Sequence, residues 1–382
     1  MKFYLIAGEA SGDLHGSNLM RGLFAEDPAA QMRYWGGPLM DAVCRSATGE
    51  SGLVHDYSEG AVMGFFELLP KLRRILGNLR SCKEDILAWK PDVVILIDYP
   101  GFNFRIAEFA HKHGIKVFYY IAPKVWASRE RRIKKLKAYV DRLFIVFPFE
   151  KEYFDRKGVS YIYKGNPLID AVDGAVLEPR TSLLSSLGWQ DGPYVALLAG
   201  SRASEVSSMM KVLVEFADRL RSVPGYEGYR FIVAGAPRRS EADYAPYIGG
   251  RDYIRVVFGK TYSILSSAEA AVINSGTASL EAVLLGTPQV VGYVSSPLTF
   301  PLILAVVRVR HISLGNLIVG RTVFRELIQD NYTPENVLAE VRHILEDKGY
   351  RERMLAGYEE IRTLLGGKGA SAATARAMIE NL

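Results

Sequence analysis

Cysteine and long apolar runs are both scarce in this sequence. Only two cysteines, Cys44 and Cys82, occur among 382 residues, which is too few for a disulfide framework or a paired-cysteine metal site. No uninterrupted apolar stretch approaches the roughly 20 residues of a membrane-spanning helix, and the residues after Lys2 do not form a signal-peptide pattern. We therefore expect a protein that is made and kept in the cytosol.

Familiar metal-binding and phosphate-binding patterns are also missing. The sequence contains no Asp-x-Asp pair, so a divalent metal bridging a diphosphate has no obvious ligands. The loop at 197–202 lacks the lysine of an ATP-hydrolysing P-loop, and the stretch at 8–13 does not have the spacing of the dinucleotide fingerprint. The sequence therefore predicts no metal and no cofactor.

Basic residues are unevenly distributed, although the formal net charge is only +5. The stretch 129–137, RERRIKKLK, holds six basic residues and one acid. Such a run is typical of a solvated helix face, and it also suits nucleic acid, phosphate or anionic lipid. Charge alone does not choose among these partners.

Short apolar runs alternate with helical patterns along the chain. Continuous Val, Ile and Leu runs are typical of strands that helices cover on both faces. The predicted strands are 3–7, 93–97, 117–121, 143–147, 161–163, 194–198, 230–234, 253–257, 270–273 and 289–293. Because a single core stops growing at roughly 250–300 residues, the sequence predicts two α/β domains, each with an open parallel sheet.

The domain boundary is predicted where Pro, Gly and Ser cluster, in 171–192. We expect an N-terminal Rossmann-like domain at 1–170 and a C-terminal one at 171–382, with the last helices crossing back to the first domain. Ligands of open parallel sheets bind at the carboxyl ends of strands. We therefore expect the two sheets to face each other across a ligand-binding cleft.

The stretch GEASGD, residues 8–13, directly follows the first predicted strand. We predict a loop that leads into a helix from about Leu14 and hydrogen-bonds sugar hydroxyls, because its two acids would repel a pyrophosphate. Its candidate ligands are Glu9, Ser11 and Asp13. A tight turn in which Asp13 caps a helix explains the same residues.

Asp98 ends the predicted strand 93–97 and precedes Pro100 and Gly101, which stop that strand. A carboxylate at this edge can act as general base toward an acceptor hydroxyl if its pKa is suitable. The alternative is an aspartate that forms a turn or caps the next helix.

Two loops in the second half are typical of anion sites at helix N-termini. In the first, LLAGSRASEV, Ser201 and Arg202 precede a predicted helix whose N–H groups suit a diphosphate. The second loop, INSGTASLEA, offers Asn274, Ser275, Gly276 and Thr277. Glu281 follows one turn later, where it can accept hydrogen bonds from a ribose diol or serve only as a partner of the helix dipole.

The segment 61–79 is more apolar than a surface loop. Its bulky apolar residues before Pro70 are Val62, Met63, Phe65, Phe66, Leu68 and Leu69, and Lys71, Arg73 and Arg74 follow. Basic residues beside bulky apolar ones suit an interfacial segment on an anionic bilayer. A core helix with a solvated basic side fits the same pattern.

Taken together, these stretches resemble the lipid-A-disaccharide synthases, inverting glycosyltransferases of the two-Rossmann GT-B architecture. The blocks that carry the resemblance are GEASGD (8–13), GGPLM (36–40), VMGFFELL (62–69), DYPGFN (98–103), YYIAPKVWA (119–127), FPFE (147–150), GNPLID (165–170), LLAGSR (197–202), NSGTASLE (274–281), GTPQVVGY (286–293) and SLGNLIVGR (313–321). They span nearly the whole chain in order. The chain departs from the family pattern at Ser128, Asn166, Ala199 and Gly315.

The resemblance implies transfer of diacylglucosamine from UDP-2,3-diacylglucosamine to the 6-hydroxyl of 2,3-diacylglucosamine 1-phosphate, which gives the β-1',6-linked lipid A disaccharide 1-phosphate and UDP. It places Asp98 as candidate base, Arg202 and Ser201 in the pyrophosphate loop, and Glu281 and Asn316 in donor-side motifs. The first domain would bind acceptor and lipid, and the second the UDP-sugar.

The resemblance also implies location. It makes 61–79 a membrane-facing insertion and places the protein in the cytoplasm, at the inner face of the inner membrane, with no nucleic-acid partner. A homodimer stays open. Two rival functions also stay open, a UDP-sugar epimerase of the same architecture and a lipid-surface binder without enzymatic activity.

Overall fold

The computed structural model describes residues 1–57, 68–126, 130–294 and 311–382, with side chains described outside 68–73. The chain divides into two compact units. Unit 1 comprises Met1–Ala171 and Leu365–Leu382, and unit 2 comprises Val172–Leu364. Among the described residues, no helix is both long and apolar enough to cross a membrane.

The strands of the described residues are β1 Lys2–Ala7, β2 Gln31–Gly36, β3 Leu53–Asp56, β4 Val93–Ile97, β5 Lys116–Tyr120, β6 Arg142–Ile145, β7 Ile162–Tyr163, β8 Tyr194–Leu198, β9 Arg230–Gly235, β10 Ile254–Phe258, β11 Ala270–Asn274, β12 Gln289–Tyr293 and β13 Glu326–Ile328. In unit 1 the strand order is β3-β2-β1-β4-β5-β6-β7, and in unit 2 it is β10-β9-β8-β11-β12-β13. All pairs in both sheets are parallel.

The α-helices of the described residues are α1 Ala10–Glu26, α2 Pro38–Thr48, α3 Leu68–Trp89, α4 Pro100–Lys112, α5 Ile133–Tyr139, α6 Phe149–Arg156, α7 Pro167–Asp173, α8 Arg180–Ser186, α9 Ala203–Arg221, α10 Glu241–Ile248, α11 Thr261–Ser266, α12 Thr277–Leu285, α13 Leu314–Val319, α14 Pro334–Glu346, α15 Lys348–Leu365 and α16 Ala370–Glu380. Short 3₁₀ turns occur at Glu130–Arg132 and Gln329–Asn331.

Helices cover both faces of the first sheet, which explains the continuous apolar runs of its strands. Along β1, Tyr4 and Ile6 belong to one buried cluster, while Phe3 and Leu5 belong to another on the opposite face. Successive side chains of a strand point to opposite faces, so both sets must be apolar when both faces are buried.

The last helix, α16, belongs to unit 1 and packs against α1. Asp170 fixes its start, because the Asp170 carboxylate accepts hydrogen bonds from the backbone N–H groups of Gly369 at 2.6 Å and Ser371 at 2.7 Å. Ala375 of α16 lies so close to Gly22 of α1 that a Cβ placed on Gly22 would be 2.8 Å from the Ala375 Cβ. The absence of a side chain at Gly22 thus lets the two helices approach.

The structure differs from the sequence-based expectation at several elements. Strands β2, β3 and β13 are not predicted by the apolar runs, and α1 begins at Ala10 rather than near Leu14. The earlier start follows from Glu9, whose extended backbone is the N-cap position, so the small residues of GEASGD form the first helical turn. Of the predicted lipid-contact residues, Val62, Met63, Phe65 and Phe66 lie outside the described residues, and Leu68 and Leu69 are described by their backbone only.

Candidate functional site

In the first sheet the strand order reverses between β1 and β4, which are adjacent strands. Ligands of open parallel sheets bind at such a switch point. Glu9 follows β1 and Asp98 follows β4, so the fold brings these two predicted residues to the same edge. The Tyr99 ring covers Gly8, since a Cβ placed on that glycine would lie 2.4 Å from it.

Asp98 is partly buried, and its pKa is raised. Burial is the main cause, repulsion by the Glu9 carboxylate adds to it, and Lys124 and Arg132 act in the opposite direction. The net effect raises the pKa of Asp98 to about 6. A carboxylate with a pKa nearer to the working pH is better suited to accept a proton from a hydroxyl.

The other two predicted residues of GEASGD lie in the first turn of α1. Ser11 donates a hydrogen bond from its Oγ to Glu9 Oε1 at 3.2 Å, so it remains near the edge. Asp13 is buried and accepts hydrogen bonds from the N–H groups of Gly37, Leu39 and Met40 at 3.0–3.1 Å. Its carboxylate therefore caps α2, and burial raises its pKa. Sugar binding by Asp13 stays a prediction.

The loop after β8 carries Ser201 and Arg202 before α9. Gly200 adopts a positive φ of 98°, a conformation that glycine takes without steric cost. The Glu205 carboxylate accepts hydrogen bonds from the N–H groups of Ser201 at 2.9 Å and Arg202 at 3.1 Å, and from Arg202 Nη1 at 2.9 Å. The Arg202 side chain is 74% exposed, so it can exchange this carboxylate for another anion.

The end of β11 approaches the same loop, because β8 and β11 are neighbours at the switch point of the second sheet. A Cβ placed on Gly200 would lie 2.4 Å from Asn274 Nδ2 and 2.6 Å from Glu205 Oε2. The fold thus brings the loop that carries Ser201 and Arg202 next to Asn274. Anion binding by these two loops stays a prediction.

The second predicted loop turns directly into α12. Ser275 donates its N–H to the Gly292 carbonyl at 2.8 Å, Gly276 occupies the N-cap position, and Thr277 is the first helical residue. Glu281, one turn later, accepts a hydrogen bond from the Tyr262 hydroxyl at 3.2 Å. Burial raises the pKa of Glu281 to about 7.

Asn316 of α13 lies inside unit 2, with a relative exposure of 0%. Its Nδ2 donates to the Phe324 carbonyl and to Glu326 Oε1, both at 2.9 Å, and its Oδ1 accepts from the Val323 N–H at 2.8 Å. The side chain therefore links α13 to β13 and to the residues just before that strand. Its predicted role in nucleotide binding stays a prediction.

Family membership follows from the sequence comparisons. A profile of the lipid-A-disaccharide synthetase family matches residues 3–378. The chain belongs to this family. Lipid-A-disaccharide synthases from Geobacter metallireducens and Geobacter sulfurreducens are each 38% identical to it, and the alignments cover 99% and 100% of this chain and 96% and 97% of those relatives. The predicted family is confirmed, and membership makes the chain a glycosyltransferase of lipid A biosynthesis.

Solved structures confirm the predicted GT-B fold class of two parallel-sheet α/β domains. The UDP-GlcNAc 2-epimerase of Neisseria meningitidis, bound to UDP-GlcNAc, matches with a TM-score of 0.69 and 14% identity over all of both chains. The calicheamicin glycosyltransferase CalG4 matches with a TM-score of 0.58 and 15% identity, covering 100% of this chain and 98% of that one. At such identities the likeness concerns the fold alone.

Sequence reasoning misses Glu205 and Glu326. A signal for Glu205 exists, since an acid three residues after a helix N-cap is the second half of a capping box. Glu326 carries no comparable local signal, yet it accepts hydrogen bonds from the Ile312 and Ser313 N–H groups at 2.9 and 3.0 Å. No cluster of three or more metal-ligating side chains occurs in the described parts of the chain.

Two departures from the family pattern have a structural role. Asn166 is buried, donates from Nδ2 to the Val146 carbonyl at 3.0 Å and accepts at Oδ1 from the Leu168 N–H at 2.9 Å. This is neutral hydrogen bonding, in which no charge is required. Gly315 packs against Phe324, whose ring would lie 2.9 Å from an added Cβ. Ser128 lies outside the described residues.

Proposed function

We propose that this protein joins UDP-2,3-diacylglucosamine to 2,3-diacylglucosamine 1-phosphate, forming the β-1',6-linked lipid A disaccharide 1-phosphate and UDP. The observation that carries the proposal is the carboxylate of Asp98. It lies at the switch point of the first sheet with its pKa raised to about 6, within a chain that belongs to a disaccharide-forming family. Unit 1 would bind the acceptor and unit 2 the donor.

In the proposed reaction, Asp98 accepts the proton of the acceptor 6-hydroxyl while that oxygen attacks the anomeric carbon of the donor. A new carbon–oxygen bond forms on the face opposite UDP, and the bond from the anomeric carbon to the diphosphate oxygen breaks. The electron pair of that bond leaves with UDP. One displacement of this kind inverts the anomeric configuration.

The diphosphate of the donor would bind in unit 2, at Arg202 and the N-termini of α9 and α12. In the structure Arg202 pairs with Glu205, so the proposal requires Arg202 to exchange this carboxylate for the diphosphate. A guanidinium fork and helix N–H groups stabilise charge that develops on the leaving group. The same two loops also contain Ser201, Asn274, Ser275, Gly276 and Thr277. Glu281 would accept hydrogen bonds from the ribose diol.

We also propose that the protein associates peripherally with an anionic membrane, at the inner face of the inner membrane. A groove of about 700 Å³ runs between α3 and α4 of unit 1, with Leu76 52% and Leu87 42% exposed. Its lining carries four cations and two acids, Arg80, Lys83, Arg105 and Lys112 with Glu84 and Glu108. Apolar and basic residues side by side favour binding to anionic lipid.

Vesicle sedimentation tests this association. The double variant Phe65→Glu, Phe66→Glu is expected to lose binding to anionic vesicles, because two carboxylates would face the lipid. The control Val176→Glu, Leu177→Glu alters an apolar pair that is 97% and 41% exposed elsewhere, and it is expected to sediment like wild type. Unchanged sedimentation of the first variant would contradict the membrane proposal. A homodimer stays a prediction that sedimentation velocity can test.

The decisive experiment incubates the purified protein with both substrates in detergent micelles and follows UDP release and lipid products by mass spectrometry. We expect a disaccharide phosphate, formed only when donor and acceptor are both present. UDP release without disaccharide would indicate hydrolysis or a different acceptor. An epimerised donor formed without acceptor would favour the epimerase alternative and overturn the proposal.

A further inference from the structure

The turn that carries Asp98 has an unusual backbone. Asp98 and Tyr99 both adopt left-handed conformations, with φ of 44° and 45°. Side chains other than glycine pay roughly 1–2 kcal/mol per residue there. Two such residues in succession persist only where their surroundings enforce the conformation, and strain of this kind concentrates at functional sites.

Two buried side chains enforce it by holding the carbonyl of Asp98. The Tyr119 hydroxyl, from β5, donates to the Asp98 carbonyl oxygen at 2.6 Å, and Asn103 Nδ2, from α4, donates to the same oxygen at 2.8 Å. The Asp98 N–H is held as well, by the Tyr120 carbonyl at 3.1 Å. Both backbone polar groups of Asp98 are therefore fixed by neighbouring elements.

Asn103 holds this position at an energetic disadvantage. It is 0% exposed, and its Oδ1 has no hydrogen-bond partner among the described residues. A buried polar atom without a partner costs about 1–3 kcal/mol. An apolar side chain of similar size would avoid that cost, so the benefit of asparagine here lies in its Nδ2 donor.

We propose that Tyr119 and Asn103 are positioning residues, which lock the Asp98 backbone in its left-handed conformation and so aim the carboxylate at the acceptor hydroxyl. The inference rests on the proposed function, because it assumes that Asp98 is the base. Relaxation of φ toward an ordinary value would swing the carboxylate away. A misplacement of about 1 Å can lower a rate about 100-fold.

The test compares adjacent tyrosines of β5. Tyr119→Phe removes one of the two donors, whereas Tyr120→Phe removes a buried hydroxyl that has no hydrogen-bond partner among the described residues. We expect Tyr119→Phe to lower kcat roughly 10-fold to 100-fold with the Kd for UDP unchanged. Tyr120→Phe is expected to keep kcat near the wild-type value, because it leaves in place the Tyr120 backbone carbonyl that accepts from the Asp98 N–H and removes only the unpartnered hydroxyl. Asn103→Leu is the second variant and is expected to lower kcat in the same way.

A second readout separates positioning from support of the fold. In an Asp98→Asn background, Tyr119→Phe is expected to leave the residual rate unchanged, because a residue that acts through Asp98 has no further effect once the base is gone. An undiminished effect there would overturn the inference. So would wild-type kcat in Tyr119→Phe, or loss of UDP binding and thermal stability in proportion to kcat.

Failure of the positioning role and failure of the proposed function of Asp98 would give different results. If Asp98→Asn itself keeps full activity, the proposed function of Asp98 is wrong. If Asp98→Asn is inactive while Tyr119→Phe and Asn103→Leu turn over normally, only the positioning role is wrong.

Discussion

Asp98 owes its raised pKa to burial and to the Glu9 carboxylate, and two cations act against both. A general base works only when ionised, so kcat/KM is expected to fall about tenfold per pH unit below pH 6 and to level off above it. Glu9→Gln should move the midpoint of this profile to lower pH, since it removes a repulsion. Lys124→Ala should move it to higher pH, since it removes an attraction.

The two variants are expected to shift the midpoint of the pH profile in opposite directions, which makes the prediction specific to Asp98. The profile of kcat/KM is measured from pH 4.5 to 8 for wild type and both variants. Shifts of the same sign, or none, would show that a group other than Asp98 controls the acid limb.

Replacement of Asp98 tests its role most directly. Asp98→Asn is expected to lower kcat by about 10²-fold to 10⁴-fold, the usual contribution of a general base, while the Kd for UDP stays near the wild-type value. Asp92→Asn is the matched control, because Asp92 lies just before the same strand at its amino end and accepts a hydrogen bond from the Lys2 N–H at 2.7 Å. Equal loss of turnover and UDP binding in Asp98→Asn would indicate a structural role.

At the scale of elements, the contact between α1 and α16 makes a prediction about glycine. Gly22→Ala is expected to destabilise the protein, because its Cβ would lie 2.8 Å from the Ala375 Cβ and within 3.3 Å of the α16 backbone. Gly77→Ala is expected to stabilise it by about 0.5–1 kcal/mol. Gly77 lies inside α3, where nothing described lies within 4 Å of an added Cβ.

Denaturant unfolding of both glycine variants gives the measurement. Because the substitution is identical in the two, their difference reports packing alone. Similar changes in the free energy of unfolding would mean that α16 moves away from α1 at little cost.

The three strands that the apolar runs do not predict, β2, β3 and β13, are missed for one physical reason. Strand β3, Leu53–Asp56, and strand β13, Glu326–Ile328, are short strands at the edges of their sheets. Strand β2 has the sequence QMRYWG, which lacks a continuous aliphatic run. These three strands form because they pair with neighbouring strands, and their own sequences do not indicate it. The buried central strands carry Val, Ile and Leu runs, which a local pattern can recognise.

At the scale of the whole molecule, the division into two units predicts where a ligand acts. If unit 2 binds the donor, UDP is expected to slow amide hydrogen exchange at 199–205 and 274–281 and to leave 2–26 in unit 1 unchanged. At 100 times its Kd, UDP adds about 2.7 kcal/mol to the stability of the state that binds it. Arg202→Ala is expected to reduce this protection at equal UDP concentration. Protection confined to unit 1 would contradict the assignment of the donor to unit 2.

The candidate site is predictable where a residue follows a recognisable strand. Asp98, Ser201, Arg202 and Asn274 follow from that rule, because parallel strands end at one edge. The same rule does not predict hydrogen bonds between segments that are distant in sequence. The link of Asp13 to α2 joins residues 24 to 27 positions apart, and no local pattern indicates which backbone donors a carboxylate will reach.

The two-segment composition of unit 1 has a consequence for biosynthesis. Residues Leu365–Leu382 complete this unit, yet the ribosome makes them only after the whole of unit 2. Until then the face of α1 that α16 covers stays exposed to solvent, and Leu19, Met20 and Leu23 lie in the buried cluster to which Ala375, Ala377 and Met378 of α16 belong. A truncated chain that ends before residue 365 retains that open face. We therefore expect unit 1 to become fully stable only once α16 has been made, with an apolar face of α1 exposed until then.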